Sequence, residues 1–207
     1  MFRSLRRSAR GKVGMTRNKI AVTGGLGSGK SAFCGILREM DYPVFSCDAI
    51  NRELWQDPKY LTDLAGLFPD CLTEGLPDKK KLSRKAFSDE SAREALNAFA
   101  HPRIMRRLID RMDQCRGTVF AEVPLLFEGG YETLFDAVIA LRRKQEDRLS
   151  AVYKRDGLAR QDALARMDRQ FDPARLEEKH CLIVENDGDL AALRRKAEFA
   201  LRQLGVR

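Results

Sequence analysis

Gly24-Gly25-Leu26-Gly27-Ser28-Gly29-Lys30-Ser31 fits the spacing G-x-x-x-x-G-K-[ST], which chance produces in roughly one chain in a hundred of this length at ordinary glycine usage. It follows the apolar run Ile20 to Thr23 and opens a stretch in which Phe33, Ile36, Leu37 and Met40 recur at helical spacing, so a strand-to-helix turn is predicted. Glycines let successive backbone N–H groups face a phosphate, and the helix dipole adds positive potential at the same point. The backbone of Gly25, Leu26, Gly27, Ser28 and Gly29, with Lys30, Ser31 and Ala32, is therefore expected to bind the phosphates of ATP. Lys30 is expected at the β- and γ-phosphates, and Ser31 is expected to place its hydroxyl on Mg2+.

Working outward, short apolar runs at Ile20 to Thr23, Pro43 to Ser46, Thr118 to Val123, Asp136 to Leu141 and Cys181 to Val184 read as buried strands. Long charged stretches with helical periodicity separate them. Strands alternating with helices predict an α/β fold, with a five-stranded parallel sheet flanked by helices. The interval from Ile50 to Gly117 is too long for one crossover helix and is expected to form a helical subdomain at the sheet's edge. Within it, Ser88 ahead of Asp89 and Glu90 is expected to cap a helix. The second long interval, Arg142 to His180, is dense in arginines interleaved with acids. Its plain reading is a solvated helix pair with i, i+4 ion pairs.

The chain has 207 residues, enough to bury a core without staples. No apolar run approaches the roughly 18 residues that span a bilayer, and the amino terminus lacks a secretory apolar stretch. Five scattered cysteines without C-x-x-C pairs suit reduced, mostly buried thiols. A cytoplasmic protein with no membrane partner is expected, and a monomer is favoured. The net charge of +8 invites a nucleic-acid reading, but Arg3, Arg6, Arg7, Arg10, Lys12, Arg17 and Lys19, with no acid among residues 1–19, account for +7 of it. The remaining body is close to neutral, which removes the field argument for nucleic-acid binding. Residues 1–19 read as a disordered basic tail, and residues 20–207 as the folded domain. A transit peptide and an RNA-affine arm both fit the tail's composition. Met15, just before the first strand, ranks a misassigned start above either.

Size and motifs narrow the class. A switch GTPase needs an N-K-x-D segment, and Asn186-Asp187-Gly188-Asp189 lacks the lysine. Motor ATPases need more chain. Beyond the loop, three further features occur in order: Val44-Phe45-Ser46-Cys47-Asp48-Ala49-Ile50, His101-Pro102-Arg103-Ile104, and Val123-Pro124-Leu125-Leu126-Phe127-Glu128, with a weaker echo at Ile183-Val184-Glu185-Asn186-Asp187-Gly188. Others lie at Gly75 to Lys79 with Leu82 and Phe87, at Arg155-Asp156-Gly157-Leu158, and at Gln170. From about Ile20 to Leu204 the chain resembles the dephospho-coenzyme A kinase family.

That resemblance implies a P-loop kinase fold with a helical acceptor-binding insert over 50–117 and a mobile lid over 142–180. It also implies transfer of the ATP γ-phosphoryl group to the 3′-hydroxyl of dephospho-coenzyme A, in the last step of coenzyme A synthesis. Another small-molecule or nucleotide kinase, and an idle nucleotide-binding regulator, are the alternatives. By resemblance, Asp48, Lys79, Phe87, His101, Pro124 and Leu125 touch the acceptor, and Arg148, Arg155 and Asn186 touch ATP. Asp48 follows the second strand at the edge where open α/β sheets bind ligands, so it is the expected base. Its plain alternative is a surface cap. Glu122 ends a buried strand, where an acid needs a cation, and is the expected second holder of Mg2+. His101 precedes a proline, so a helix-capping role stands beside acceptor contact. The chain departs from the family at Ser46-Cys47, at His180-Cys181 and at Ala151, where an arginine is usual. Arg148, Arg155 and Arg166 are the candidates to supply that charge.

Overall fold

The computed structural model describes residues 18–206. The expected disordered tail therefore lies almost wholly outside the described residues, and its last two positions do not belong to it. Asn18 and Lys19 begin strand β1 (Asn18–Thr23). Lys19 donates its backbone N–H to Asp136 at 2.7 Å and its ammonium to Asp113 at 3.0 Å. In chain order β1 leads into α1 (Lys30–Glu39), β2 (Val44–Ser46), α2 (Cys47–Leu54) and α3 (Pro58–Leu67). A two-residue hairpin, β3 (Leu72–Thr73) and β4 (Leu76–Pro77), precedes α4 (Lys79–Ser88) and the long α5 (Glu90–Asp113). Then come β5 (Thr118–Glu122), β6 (Ala137–Arg142), α6 (Gln145–Asp156), α7 (Arg160–Met167), β7 (Leu182–Glu185) and α8 (Leu190–Gln203).

The five expected strands form one sheet in the order β2-β5-β1-β6-β7, and every neighbouring pair is parallel. Alternation along each strand builds two cores, since successive side chains leave opposite faces. Ile20, Val22, Phe120, Ile139 and Leu141 pack on one face with Phe33 and Leu37 of α1 and Leu193, Ala197 and Leu201 of α8. Ala21, Val119, Ala121 and Val138 face the other way, onto Ile50 and Leu54 of α2 and Met105, Leu108 and Met112 of α5. The hairpin carried no sequence signal, because two residues per strand are too few to show a period.

Between β2 and β5 lie α2 to α5 and the β3–β4 hairpin, and two local expectations are corrected. Ser88 ends α4, its hydroxyl donating back to the Arg84 and Lys85 carbonyls. The cap of α5 is Asp89, whose carboxylate accepts from the Ala92 N–H at 3.1 Å. His101 caps nothing. Pro102 sits deep inside the 24-residue α5 rather than in a first turn, and Arg103 reaches back to donate to the Phe99 carbonyl at 2.8 Å beside the proline's missing N–H. Arg111 of α5 grips Glu53 of α2 with two bonds of 2.8 and 2.6 Å.

The 142–180 region contains α6 and α7, but its ion pairs are not the expected i, i+4 set. Among the described residues, Arg160 of α7 clasps Glu146 of α6, Arg155 holds its neighbour Asp156, and Arg175 holds Glu178 three residues on. Arg142 bridges Glu185 of β7 and Glu177. The cysteines are all free, with Cys34 and Cys71 buried and the other three partly so.

Because the α5 cap is a carboxylate on Asp89, Asp89→Ala should lower the free energy of urea unfolding by about 1 kcal/mol, whereas Ser88→Ala should change it by less than about 0.5 kcal/mol.

Candidate active site

The loop after β1 is built by backbone conformations and held by side chains from three other segments. Gly29, at φ 97°, turns the chain into α1 while packing against the Asn186 amide. Gly27 stands at φ 76°, and a β-carbon there would meet the Arg148 carbonyl oxygen at 2.5 Å, so only glycine fits. Asn186, at the end of β7, donates from its side chain to the Ser28 carbonyl at 2.9 Å. Leu26 is held at both ends of its backbone: its N–H donates to Gln170 Oε1 at 2.6 Å and its carbonyl accepts from Arg148 Nε at 2.8 Å. Four described polar or charged residues are buried, Thr23, Ser28, Arg148 and Asn186, and all four belong to this loop or its supports.

Lys30 begins α1 and lays its ammonium on the Gly24 and Gly25 carbonyls at 2.6 and 3.1 Å. Burial lowers its pKa, Arg148 lowers it further, and Glu122 and Asp48 pull it back up. The lysine thus shares one electrostatic neighbourhood with both expected acidic residues. The strand register explains why: Ser46 of β2 lies level with Glu122 of β5, which lies level with Val22 of β1. Glu122 is therefore at the sheet's carboxyl edge beside the loop, and Asp48 is two residues past Ser46, in the first turn of α2.

The Ser31 hydroxyl donates to Glu122 Oε1 at 2.9 Å. This pair of oxygen donors fits Mg2+, which takes one or two protein groups and completes its shell with phosphate and water. No cluster of three or more His, Cys, Asp or Glu side chains suited to a metal occurs among the described residues.

Beyond Asp48 opens a cleft of about 600 Å³. All six residues expected at the acceptor line it: Asp48, Lys79, Phe87, His101, Pro124 and Leu125. Lys79, at the start of α4, lies over the Trp55 ring at 4.7 Å. Phe87 is 68 % exposed, and the Arg169 guanidinium stands 5.5 Å from its ring. Burial lowers the His101 pKa against the opposing pull of Glu128, so its imidazole is neutral at pH 7. Burial and the neighbouring Asp48 push the Cys47 thiol up to about 12, which keeps it protonated beside the base candidate.

Several members of the site carried no readable sequence signal. Trp55 and Tyr131 line the cleft, as does Arg169, which belonged to the charged stretch read as a solvated helix pair. Gln170 stood out only as a weak echo, and its grip on Leu26 spans 144 positions. Arg155 lies apart from the loop contacts, paired with Asp156 and 60 % exposed.

A parallel sheet carrying this loop at its carboxyl edge, with an acid-flanked cleft beside it, defines a P-loop kinase fold. The dephospho-CoA kinase family model matches residues 18–192, and the chain belongs to that family. It is 36% identical over 192 residues to a dephospho-CoA kinase of Deinococcus radiodurans, covering 91% of this chain and 93% of that protein. A crystal structure from Thermus thermophilus superposes with a TM-score of 0.80 at 33% identity, covering 91% of this chain and 98% of that one. The structure of a dephospho-CoA kinase from Campylobacter jejuni gives 0.67 at 28% identity, with the same two coverages. No helix among the described residues is long and apolar enough to cross a membrane.

With His101 held below its ordinary pKa of 6.5, the unfolded chain takes up more protons than the folded one as the pH falls past 6.5, and stability is lost on acidification. Chemical denaturation from pH 7.5 to 5 should therefore show a decline that His101→Gln makes shallower.

Proposed function

We propose that the chain transfers the γ-phosphoryl group of ATP to the 3′-hydroxyl of dephospho-coenzyme A. The observation that carries this reading is the position of Asp48, which lines the acceptor cleft and lies within electrostatic reach of the phosphate-loop lysine. A kinase needs one group that meets donor and acceptor together, and Asp48 is that group. Family membership makes dephospho-coenzyme A the acceptor to expect, and the cleft's chemistry suits it. Lys79, Arg166 and Arg169 bring positive charge to its walls, while Trp55, Tyr60 and Tyr131 offer flat apolar surface. A molecule with a diphosphate and an adenine uses both.

In this reading the loop N–H groups and Lys30 bind the ATP phosphates and balance charge on the transferring group. Asn186 acts through Ser28, keeping the loop backbone in its phosphate-facing shape. Ser31 and Glu122 would hold Mg2+, which when bound would neutralise phosphate charge. Asp48 orients the ribose hydroxyl and accepts its proton. His101, neutral, offers a hydrogen bond in the cleft, and Phe87, Pro124 and Leu125 pack on the acceptor. Residues 50–117 form the acceptor-binding part and 142–180 the lid, which excludes water and so suppresses ATP hydrolysis. Arg155 joins the site when the lid closes. Free thiols throughout suit a cytoplasmic enzyme.

Two substitutions test this. With ATP, magnesium and dephospho-coenzyme A supplied, Lys30→Ala should cut turnover at least about a hundredfold. Asp48→Asn keeps the shape but not the basicity, so turnover should fall roughly 10²- to 10⁴-fold while ATP affinity barely changes. Turnover of Asp48→Asn within about threefold of the parent would remove the base from the mechanism. A parent enzyme that phosphorylates nucleosides, nucleoside monophosphates or shikimate in preference to dephospho-coenzyme A would remove the acceptor.

A further inference from the structure

Four aromatic rings line the acceptor cleft, Trp55, Tyr60, Phe87 and Tyr131, and their surroundings separate them. Trp55 carries the Lys79 ammonium over its ring at 4.7 Å and meets the Tyr60 ring at 6.3 Å. Tyr60 is 4 % exposed, with Phe99 packed on it at 5.1 Å. Phe87 has the Arg169 guanidinium 5.5 Å from its ring. Tyr131 differs from these three, since among the described residues neither a cation nor a second ring lies over it. Its ring is apolar area that a flat ligand can cover.

The fold brings that ring to the reacting end of the cleft. β5 runs beside β2 with Glu122 level with Ser46, so the chain leaves β5 toward Tyr131 next to the point where it leaves β2 toward Cys47 and Asp48. Tyr131 donates its N–H to the Leu126 carbonyl at 3.0 Å, closing a turn, and packs partly buried against the core shared by α2 and α5. Its hydroxyl lies within electrostatic reach of the Cys47 thiol. The ring also crosses the space that a side chain at Gly129 would need: a β-carbon there would lie 2.3 Å from Cε2 and 2.5 Å from Cδ2. Gly129 is outside the left-handed region that holds Gly130 at φ 66°. Its missing side chain therefore serves the ring and not the backbone.

In the acceptor, the base and the 3′-hydroxyl sit on one sugar ring, so a base must lie beside whatever group takes the hydroxyl's proton. Trp55 is seven residues along α2 from Asp48, about 10 Å down the axis. That distance suits the diphosphate on the 5′ side, and the Lys79 ammonium over Trp55 is the charge to meet it. We infer that Tyr131 is the platform on which the adenine of the acceptor stacks, with Gly129 left bare so that the ring can lie there, and that the acceptor runs from this end of the cleft toward Lys79 and Trp55. This deepens, and rests on, the reading of Asp48 as the base and of dephospho-coenzyme A as the acceptor.

The test is steady-state kinetics of the full chain with magnesium, ATP and two acceptors: dephospho-coenzyme A, and its abasic analogue in which hydrogen replaces the adenine. Tyr131→Ala should raise KM for dephospho-coenzyme A roughly ten- to a hundredfold, the range of base–aromatic stacking, while KM for ATP moves less than about twofold. Tyr131→Leu, which keeps apolar bulk without a flat face, should show most of that loss, and Tyr131→Phe should recover it. Gly129→Ala should raise the acceptor KM by displacing the ring, yet add less than about twofold when combined with Tyr131→Ala. On the abasic analogue the parent and Tyr131→Ala should differ less than about threefold, since there is no base to lose.

An acceptor KM for Tyr131→Ala within about threefold of the parent overturns the inference. So does a Tyr131→Leu enzyme that matches the parent, since the ring is then packing alone. A loss that persists undiminished on the abasic analogue also overturns it, as does a base-dependent loss that appears in Trp55→Ala and not in Tyr131→Ala. Should Tyr131→Ala fail to fold, Tyr131→Leu carries the same comparisons. A parent that does not phosphorylate dephospho-coenzyme A defeats the reading of the cleft and this inference with it, whereas a parent that does, with Tyr131→Ala unimpaired, defeats only the stacking platform.

Discussion

The protein's architecture turns on satisfying one loop of backbone that cannot satisfy itself. A segment curled so that its N–H groups face outward gives up the hydrogen bonds of both strand and helix, and its carbonyls are left pointing inward. Here those carbonyls are answered one by one: Gly24 and Gly25 by Lys30, Leu26 by Arg148, and Ser28 by Asn186. The answering groups come from the start of α1, from α6, and from the end of β7. Residues nearly 160 positions apart are therefore tied to the loop, and the order β2-β5-β1-β6-β7 is what brings them there. With β1 in the centre, the loop emerges between both halves of the sheet and can be supported from each.

The same central position sets the chemistry. Parallel strands all end at one edge, so the register that aligns Ser46, Glu122 and Val22 also gathers two acids near Lys30 without any of the three being close in sequence. Their roles then separate by position. Glu122, in the strand, meets the Ser31 hydroxyl and faces the loop, while Asp48, two residues beyond its strand in the first turn of α2, reaches the cleft. Neutral His101 and the protonated Cys47 thiol add no competing charge beside it.

Much of this was legible in the chain because it is local. The loop's spacing, the strand before it and the apolar face of α1 are short-range patterns, and the five strands are continuous apolar runs because both their faces are buried. Asp48 and Glu122 were legible as acids at strand ends. What escaped depends on contacts between distant segments or on competition between neighbours. Ser88 and Asp89 are both good caps, and the helix begins after the second because the first is already spent on closing α4. Pro102 looked like a helix start because proline favours first turns, yet α5 packs tightly enough at Phe99, Met105 and Leu108 to carry it inside. Arg169 read as one more charge of a solvated helix pair, and only the fold puts it in one cleft with Trp55 and Phe87. The arginines of 142–180 looked alike as a charged pattern, and only burial distinguishes Arg148 from Arg155.

The bidentate grip of Arg111 on Glu53 gives α2 the mechanics of a short lever. Asp48 rides at one end of that eight-residue helix and Glu53 near the other, about 8 Å apart at the usual rise per residue. The far end is bolted to α5, the long spine that also carries His101 and so forms a wall of the acceptor cleft. A tilt of α5 of about 7° transmitted through that bolt would move the carboxylate by about 1 Å, a displacement on the scale that decides whether a reacting geometry is productive. On the proposed role of Asp48, the cleft wall and the carboxylate that faces it would move as one connected body, and an acceptor of the wrong shape would be penalised at the reacting atoms as well as where it fails to fit.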